Sequence, residues 1–251
     1  MLCDAGLDLS RKLPRVAPCM AYGLVIFDCD GVLVDSEPLS LAVLSEALTR
    51  QGLPADIPYV TRHFLGRQLA TVRSHASAHH IELPPAFELD LNKSLVQRFR
   101  HELRPVAHIA DALAQLELPR CVASSSDLAR VKLSLAVTGL SKFFGDFVYT
   151  AEMVARGKPE PDLFLYAARQ MGVAPAACLV IEDSPFGVLA ARAAGMEAWG
   201  FIGGGHYRGH AHAGGALLEA GAQRLFEDMR TLVPAIAAAS GYPARPSAQL
   251  P

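Results

Sequence analysis

Cysteine is scarce in this chain of 251 residues, and its distribution does not indicate cross-linking. The five cysteines, Cys3, Cys19, Cys29, Cys121 and Cys178, lie far apart, are odd in number and include no CxxC pair. This pattern argues against both a disulfide framework and a zinc site. Cys121 and Cys178 stand within apolar runs, which is typical of small core residues. We therefore expect a chain of the reducing cytoplasm.

Long apolar runs and an excess of charge of one sign are also missing. The longest apolar stretches, such as Leu232–Ala239, are far shorter than the roughly 20 residues that a bilayer requires. Charged residues interrupt the N-terminal segment at Asp4, Asp8 and Arg11, so we expect no signal peptide. The net charge of −2 gives no electrostatic footprint for nucleic acid or an anionic membrane. With 51% hydrophobic and 19% charged residues, the composition is that of an ordinary globular enzyme.

Short apolar runs predict a mostly parallel sheet. They alternate with helical patterns, and this alternation is typical of βα units with helices on both faces of the sheet. The predicted strands are Leu24–Phe27, Cys121–Ala123, Phe147–Tyr149, Cys178–Ile181 and Ala198–Ile202. The predicted helices of this part are Ile109–Leu116, Ala129–Val137, Asp162–Met171 and Pro185–Ala194.

The stretch from residue 38 to 103 breaks this alternation, because it contains helical segments and no good strand. We predict an α/β fold in which a core of residues 21–37 and 104–240 receives an all-helical insert of residues 38–103. An insert directly after the first strand lies over the carboxyl ends of the strands, where open α/β sheets bind ligands. Residues 1–20 are expected to be a disordered extension and residues 241–251 a fraying tail. The predicted helices of the insert are Leu39–Gln51, Pro58–Phe64, Leu69–His80 and Ala86–His101.

The most informative motif follows the first predicted strand. Asp28 and Asp30 are two carboxylates at the end of a buried strand, which is costly unless they bind a cation or transfer protons. Gly31 allows the sharp turn that follows. A calcium loop would place oxygen ligands where this chain has Val32 and Val34, and a glutamate where it has leucine, so we reject that alternative.

Hydroxyl groups end the second predicted strand. Ser124, Ser125 and Ser126 can donate hydrogen bonds to a phosphoryl oxygen. An alternative remains open, because Ser126 or Asp127 also suits the N-cap of the following helix.

A constrained lysine precedes a later helix, in the sequence Gly-Lys-Pro-Glu-Pro-Asp that begins at residue 157. The prolines stiffen the backbone around Lys158. Lys158 can hold a carboxylate and a phosphate together, or it can be an ordinary surface lysine at a helix entry.

A second pair of acids, Glu182 and Asp183, ends the fourth predicted strand. This pair and the pair after the first strand converge on one hard cation such as Mg²⁺ if the two strands are neighbours. The same segment also suits a helix N-terminus, with Ser184 as N-cap and Pro185 at the first helical position. Both interpretations can hold together.

Taken in order, these segments resemble the four motifs of the haloacid dehalogenase superfamily. They are DxDGVLVDSE, a strand-end serine, GKPEPD and IEDS. The resemblance spans residues 24 to 202 and is to the subgroup of β-phosphoglucomutase-like phosphatases, with an overall pattern similar to bacterial sugar-phosphate phosphatases such as those for 6-phosphogluconate. It implies a Rossmann-like core, a helical cap formed by the insert, and Mg²⁺-dependent hydrolysis of a small phosphorylated metabolite through an aspartyl phosphate. We also expect a cytoplasmic monomer or weak dimer.

The resemblance also implies roles for individual residues. Asp28 would be the nucleophile and a metal ligand, and Asp30 the general acid and base that lends its carbonyl to the metal. Asp183 and Glu182 would be metal ligands. The phosphoryl group would be bound by Ser124, Ser125 and Lys158 and by backbone N–H groups from Cys29 to Gly31. The candidate substrate contacts are Glu37, Ser126 and Arg67.

Details of the motifs favour water as the acceptor of the phosphoryl group. A dehalogenase expels halide and typically lacks the second aspartate, so Asp30 argues against it. A β-phosphoglucomutase would have a histidine where this chain has Ser40, and a cap arginine three residues after a glycine where this chain has Leu69. Arg67 directly follows Gly66 instead. The alternatives to hydrolysis are phosphoryl transfer of the mutase type and a catalytically silent binding protein on the same fold.

A glycine-rich segment with three histidines follows the last predicted strand. His206, His210 and His212 are candidates for a metal cluster, for a rim that contacts substrate, or for a solvent-facing loop. No carboxylate or cysteine accompanies them in the sequence, which favours the solvent-facing loop. The glycine-rich run lacks the GK[ST] of a phosphate-binding P-loop.

Overall fold

A parallel sheet of six strands forms the centre of the molecule. A computed structural model describes residues 22–64, 69–207 and 214–240. The strand order is β3-β2-β1-β4-β5-β6, and every neighbouring pair is parallel. The strands are β1 (Leu24–Phe27), β2 (Arg120–Ser124), β3 (Val148–Thr150), β4 (Cys178–Glu182), β5 (Glu197–Phe201) and β6 (Arg224–Phe226).

Helices cover both faces of this sheet. Five of them, α1 to α5, lie between β1 and β2 in the sequence, and α6 to α10 alternate with the later strands. The predicted α/β fold is confirmed. The helices are α1 (Glu37–Arg50), α2 (Ile57–Phe64), α3 (Leu69–Ala78), α4 (Phe87–Glu102), α5 (Ile109–Gln115), α6 (Leu128–Val137), α7 (Asp162–Gln170), α8 (Pro185–Ala193), α9 (Gly215–Glu219) and α10 (Leu232–Ala239).

Side chains along the central strands point alternately to the two faces of the sheet, so the core has two layers. In β1, Val25 and Phe27 pack with α5, α6 and α10, whereas Leu24 and Ile26 pack with α7, α8 and α9. All four residues are fully buried. Successive side chains of a strand point to opposite faces, so an uninterrupted apolar run is what a sheet covered on both sides requires.

The helical insert shares its core with one face of the sheet. Apolar side chains of α1 and α4, such as Leu48 and Phe99, belong to the same hydrophobic cluster as Phe27. Helix α4 packs on α6, and α1 contacts the segment Gly205–Tyr207. The insert is therefore continuous with the core on the side of α6.

The sheet differs from the predicted one at its edges. The strand β6 was not predicted, because it has three residues, lies at the edge and is half exposed. Strand β3 is shifted by one residue from the predicted Phe147–Tyr149, because its pairing with β2 begins at Val148 opposite Val122, and β5 ends at Phe201 instead of Ile202. The predicted segments 1–20 and 241–251 lie outside the described residues. Among the described residues, no helix combines the length and apolarity needed to cross a membrane.

Candidate active site

Acidic side chains at the ends of two neighbouring strands meet at one edge of the sheet. Asp28 directly follows β1, Glu182 ends β4, and Asp183 comes next. Strands β1 and β4 pair in parallel with Phe27 opposite Ile181, so the two acidic segments lie side by side. One ligand oxygen from each of Asp28, Glu182 and Asp183 lies within 4.8 Å of the others, and all three side chains are buried. This strand order brings Asp28 of the first predicted pair together with both members of the second, Glu182 and Asp183.

Lys158 connects two of these carboxylates. Its Nζ donates to Asp28 Oδ1 and to Glu182 Oε1, each at 2.6 Å, and to the backbone carbonyl of Ala123 at 2.9 Å. The side chain is 4% exposed, and the ammonium lies 4.9 Å from the centroid of the Phe164 ring. Lys158 is therefore a buried residue of the site and not a surface lysine.

The charges of this cluster do not balance. Burial raises the pKa of Asp28 to about 7, against the opposing effect of Lys158. Burial also raises the pKa of Asp183 well above its usual range, and Asp28 and Glu182 add to that shift. Burial alone would lower the pKa of Lys158, but the neighbouring carboxylates raise it above its usual value. When all three carboxylates are ionised, one ammonium leaves two negative charges unbalanced in a buried space, and a divalent cation with oxygen ligands fits this donor set.

Asp30 has a separate set of partners. Its Oδ1 accepts from the Ser36 hydroxyl at 2.6 Å and from Arg130 Nη2 at 3.2 Å, and its Oδ2 accepts from the Ser126 hydroxyl at 2.7 Å. Burial would raise the pKa of Asp30, but Arg130 and the two hydroxyls outweigh burial and hold that pKa below its usual value. The side chain of Asp30 is outside the cluster of Asp28, Glu182 and Asp183.

Arg130 was not predicted from the sequence. It lies in the first turn of α6, where its backbone N–H donates to the N-cap residue Asp127 at 2.8 Å. Its guanidinium also lies 5.2 Å from the centroid of the Phe99 ring of α4. A lone arginine in an amphipathic helix gives no signal in a single sequence, because its partners are set by how α4 and β1 pack against α6.

The three serines after β2 occupy different environments. Ser124 is buried, and its hydroxyl accepts from the backbone N–H of Ser126 at 3.1 Å. Ser125 is exposed, and Ser126 is held by Asp30. Of the two residues considered for the N-cap of α6, Asp127 occupies that position.

The turn after β1 engages the backbone of Gly31. Its N–H donates to the carbonyl of Val34 at 2.8 Å and is thus used within the turn. Gly31 has a φ of +79°, and a Cβ there would lie 1.7 Å from Asp183 Oδ2. Gly31 therefore contributes by lacking a side chain. Burial raises the pKa of the Cys29 thiol well above its usual value, and Asp30 and Asp28 add to that shift, so this thiol stays protonated.

Of the predicted contacts on the insert side, the structure describes Glu37. Glu37 is half-buried at the start of the helix, where burial raises its pKa to about 7 and the Asp30 carboxylate adds to that shift. The hydroxyl of Ser40 donates to the carbonyl of Ser36 at 3.1 Å. Arg67 lies outside the described residues.

The structure places His206 inside the molecule, so the solvent-facing interpretation of this residue is wrong. Its side chain is 6% exposed, and its Nε2 lies 3.4 Å from Asp183 Oδ2. Composition favoured a surface loop because the segment is rich in glycine, whereas its burial comes from contacts with distant residues. His210 and His212 lie outside the described residues.

Comparison with known proteins places the chain in a family. A family profile described as haloacid dehalogenase-like hydrolase matches residues 22–195. The chain is 32% identical over 180 residues to fructose-1-phosphate phosphatase YqaB of Escherichia coli (strain K12), a match covering 70% of this chain and 95% of that protein. It is 28% identical over 190 residues to 6-phosphogluconate phosphatase of the same strain, covering 75% and 86%. The solved structure of a HAD family hydrolase from Deinococcus radiodurans R1, with bound phosphate and sodium, has 33% identity and a TM-score of 0.75, covering 88% of this chain and 97% of that one.

The chain therefore belongs to the haloacid dehalogenase-like hydrolase family. Its predicted enzyme class, a phosphoric monoester hydrolase, is confirmed by this membership and by its phosphatase relatives.

Proposed function

We propose that this enzyme hydrolyses the phosphate monoester of a small phosphorylated sugar in the presence of Mg²⁺, through an aspartyl phosphate on Asp28. The observation that carries the proposal is the buried Lys158, which bridges Asp28 and Glu182 beside Asp183. A buried cation that offsets only part of a carboxylate cluster suits the binding of both a metal ion and a phosphoryl group.

Asp28, Glu182 and Asp183 are the side chains proposed to hold Mg²⁺, together with the backbone carbonyl of Asp30. When bound, the cation supplies positive charge that stabilises the phosphoryl oxygens. Asp28 offers a carboxylate oxygen to the phosphorus, and Lys158 orients that carboxylate while its charge reduces the repulsion between two anions. Formation of an aspartyl phosphate divides one difficult hydrolysis into two easier steps.

Asp30 is proposed to move protons at the leaving oxygen and at the attacking water. Protonation of the leaving alkoxide and deprotonation of water are opposite demands, and one carboxyl group meets them in turn. Ser36, Ser126 and Arg130 support this proposal, since they hold Asp30 apart from the carboxylates proposed to bind the cation.

The helical insert, residues 38–103, is proposed to act as a cap over a core of residues 21–37 and 104–240. Its position directly after β1 and its contacts with α6 and Gly205–Tyr207 support this role. A cap excludes bulk water from the reacting groups and contacts the leaving group. Glu37, at the start of α1, is a proposed substrate contact, and Ser126 and Arg67 are further candidates.

Phosphoryl transfer to a sugar acceptor is the less favoured reaction. The residue at the position expected to carry a histidine in a mutase is Ser40, whose hydroxyl donates to a backbone carbonyl of its own helix. This leaves no imidazole at that position to handle the proton of an acceptor hydroxyl, which favours water. The names of two similar proteins, phosphatases for fructose 1-phosphate and 6-phosphogluconate, support the choice of sugar phosphates as the substrate class.

A phosphate-release assay over a panel of sugar phosphates with Mg²⁺ tests the proposal. We expect release from at least one member, and its loss when EDTA removes the metal. Asp28→Asn is expected to abolish turnover with the fold intact, whereas the matched variant Asp146→Asn, at an exposed turn, retains it. Retained activity in Asp28→Asn would refute the nucleophile assignment, and no release from any sugar phosphate would refute the substrate class.

A further inference from the structure

The segment that follows β5 packs against the turn that carries Asp28. We refer to Gly203–Tyr207 as the GGGHY segment. The N–H of Gly205 donates to Asp35 Oδ1 at 2.8 Å. A Cβ on Gly204 would lie 3.0 Å from the carbonyl oxygen of Gly31, and one on Gly205 would lie 2.7 Å from both carboxylate oxygens of Asp35. Side chains at these glycines would therefore push the segment away from the turn.

The same segment contacts Asp183 at two points. The Nε2 of His206 lies 3.4 Å from Asp183 Oδ2, and the hydroxyl of Tyr207 donates to the backbone carbonyl of Asp183. The rings of His206 and Tyr207 also contact each other, with centroids 4.0 Å apart. Both the side chain and the main chain of Asp183 thus have a neighbour in the GGGHY segment.

His206 lies outside the donor set itself. Among the residues that the structure describes, the side chains whose ligand atoms lie mutually within 4.8 Å are Asp28, Glu182 and Asp183. Its Nε2 lies 3.4 Å from Asp183 Oδ2, and a Cβ on Gly31 would lie 3.2 Å from its ring carbon Cε1. This arrangement is that of a partner which orients a metal ligand without binding the metal.

We propose that His206 is a positioning residue for the cation site. By occupying the space beside Oδ2, its imidazole restricts rotation of the Asp183 carboxylate and so fixes the direction of the oxygen offered to the cation. This inference rests on the proposed function, because it needs a divalent cation at Asp28, Glu182 and Asp183. Removal of an outer partner of this kind typically weakens metal binding by roughly 10–100-fold.

The test measures metal binding directly on the full chain freed of metal. Mn²⁺ serves as the probe, since it accepts the same oxygen ligands as Mg²⁺, and free Mn²⁺ is followed by electron paramagnetic resonance, with Mg²⁺ added as competitor. His206→Ala is expected to bind Mn²⁺ about 10-fold or more weakly than the wild type. His206→Gln is expected to recover part of the loss, because its amide can reach the position of Nε2.

A matched control distinguishes the loss of the contact with Asp183 from the loss of any histidine. His101→Gln changes an exposed histidine on α4 and is expected to leave Mn²⁺ affinity unchanged. Equal Mn²⁺ affinity in wild type and His206→Ala overturns the inference while leaving the proposed function in place. A wild-type chain that binds neither Mn²⁺ nor Mg²⁺ overturns the cation site and the inference together.

Discussion

Asp28 and Asp30 are two residues apart, yet their pKa values shift in opposite directions. Burial raises the pKa of Asp28 to about 7, whereas Arg130 and two hydroxyls hold the pKa of Asp30 below its usual value despite burial. The difference arises because Asp28 faces the acids that end β4, while Asp30 faces α6 and the start of α1. The surroundings of each carboxylate, and not its place in the motif, therefore set its pKa.

Replacing Arg130 is expected to change the pH dependence of turnover. In Arg130→Met, the pKa of Asp30 rises because its positively charged neighbour is gone, and a nearby charge of this kind is worth about 1–3 pKa units. Asp30 must be ionised to accept a proton from water, so the acidic limb of the kcat–pH profile is expected to move to higher pH. Lys132→Met, which removes an exposed cation from the same helix, is the control. An acidic limb at the same pH in both variants would contradict the role of Arg130.

A side chain at Gly31 is expected to disrupt the site through direct contact. In Gly31→Ala, the new Cβ would overlap the Asp183 carboxylate, and the positive φ adds backbone strain of about 1–2 kcal/mol. Gly139→Ala is the matched control, since Gly139 has a φ of +72° with no atom within 4 Å of an added Cβ. We expect both variants to lose some stability in urea unfolding, and only Gly31→Ala to lose most of its phosphatase activity. Equal activity in the two variants would show that the contact with Asp183 is unimportant.

The N-cap residue of helix α8 contributes both to the stability of the helix and to the geometry of the site. The Ser184 hydroxyl accepts from the N–H of Gly187 at 3.0 Å, as the predicted N-cap, and donates to Glu182 Oε2 at 2.9 Å. The backbone N–H of Ser184 donates to the same oxygen at 2.9 Å. This segment is therefore both the start of a helix and a part of the acidic site, so the two interpretations of its sequence hold together.

Ser184→Ala is expected to lower both stability and metal affinity. Loss of an N-cap costs about 0.5–2 kcal/mol of the free energy of unfolding, and Glu182 loses one of its donors. Asp56→Ala is the control, because Asp56 accepts from the N–H of Tyr59 at 2.8 Å at the start of α2, within the insert. Urea unfolding and Mn²⁺ titration check both effects. A cost in stability without any change in Mn²⁺ binding for Ser184→Ala would show that the cap and the site are independent.

The sequence predicted those strands that consist of a continuous run of buried apolar residues. Strands β1 and β4 are continuous buried runs, and this pattern predicted them almost to the residue. Strand β6 was missed because three half-exposed residues at an edge carry no such run. The burial of His206 was missed for a different reason, since it depends on packing against Asp183, a residue far away in the sequence.

At the scale of the whole molecule, the site depends on strand order. The crossover that places β4 beside β1 brings residue 28 next to residues 182 and 183, and β2 on the other side brings Ser124 to the same edge. Motif order alone predicted this convergence only on the condition that the strands were neighbours. The contact between Asp30 and Arg130 depends in addition on how α6 packs against α4 and β1. The motifs therefore predicted Asp30 as a site residue but did not predict Arg130 as its partner.

The stability of the whole molecule is expected to depend on pH and Mg²⁺ together. Without metal, the raised pKa values of Asp28 and Asp183 mean that the folded chain holds protons that the unfolded chain releases near pH 4. The contribution of Asp28 to stability is therefore greatest at low pH and falls as pH rises from about 4 through 7, and that of Asp183 also falls as pH rises. Mg²⁺ binds only the ionised carboxylates, so it opposes this fall where the protons have left.

We accordingly expect saturating Mg²⁺ to raise Tm more at about pH 8 than at about pH 5.5, because protons compete with the cation at the lower pH. Scanning calorimetry at both pH values, with and without Mg²⁺, measures the two shifts. Asp183→Asn removes one ligand and is expected to reduce the shift at both pH values, whereas His101→Gln leaves both unchanged. A Mg²⁺-induced shift that is equal at the two pH values, or larger at the lower one, would show that the carboxylates with raised pKa are not those that bind the cation.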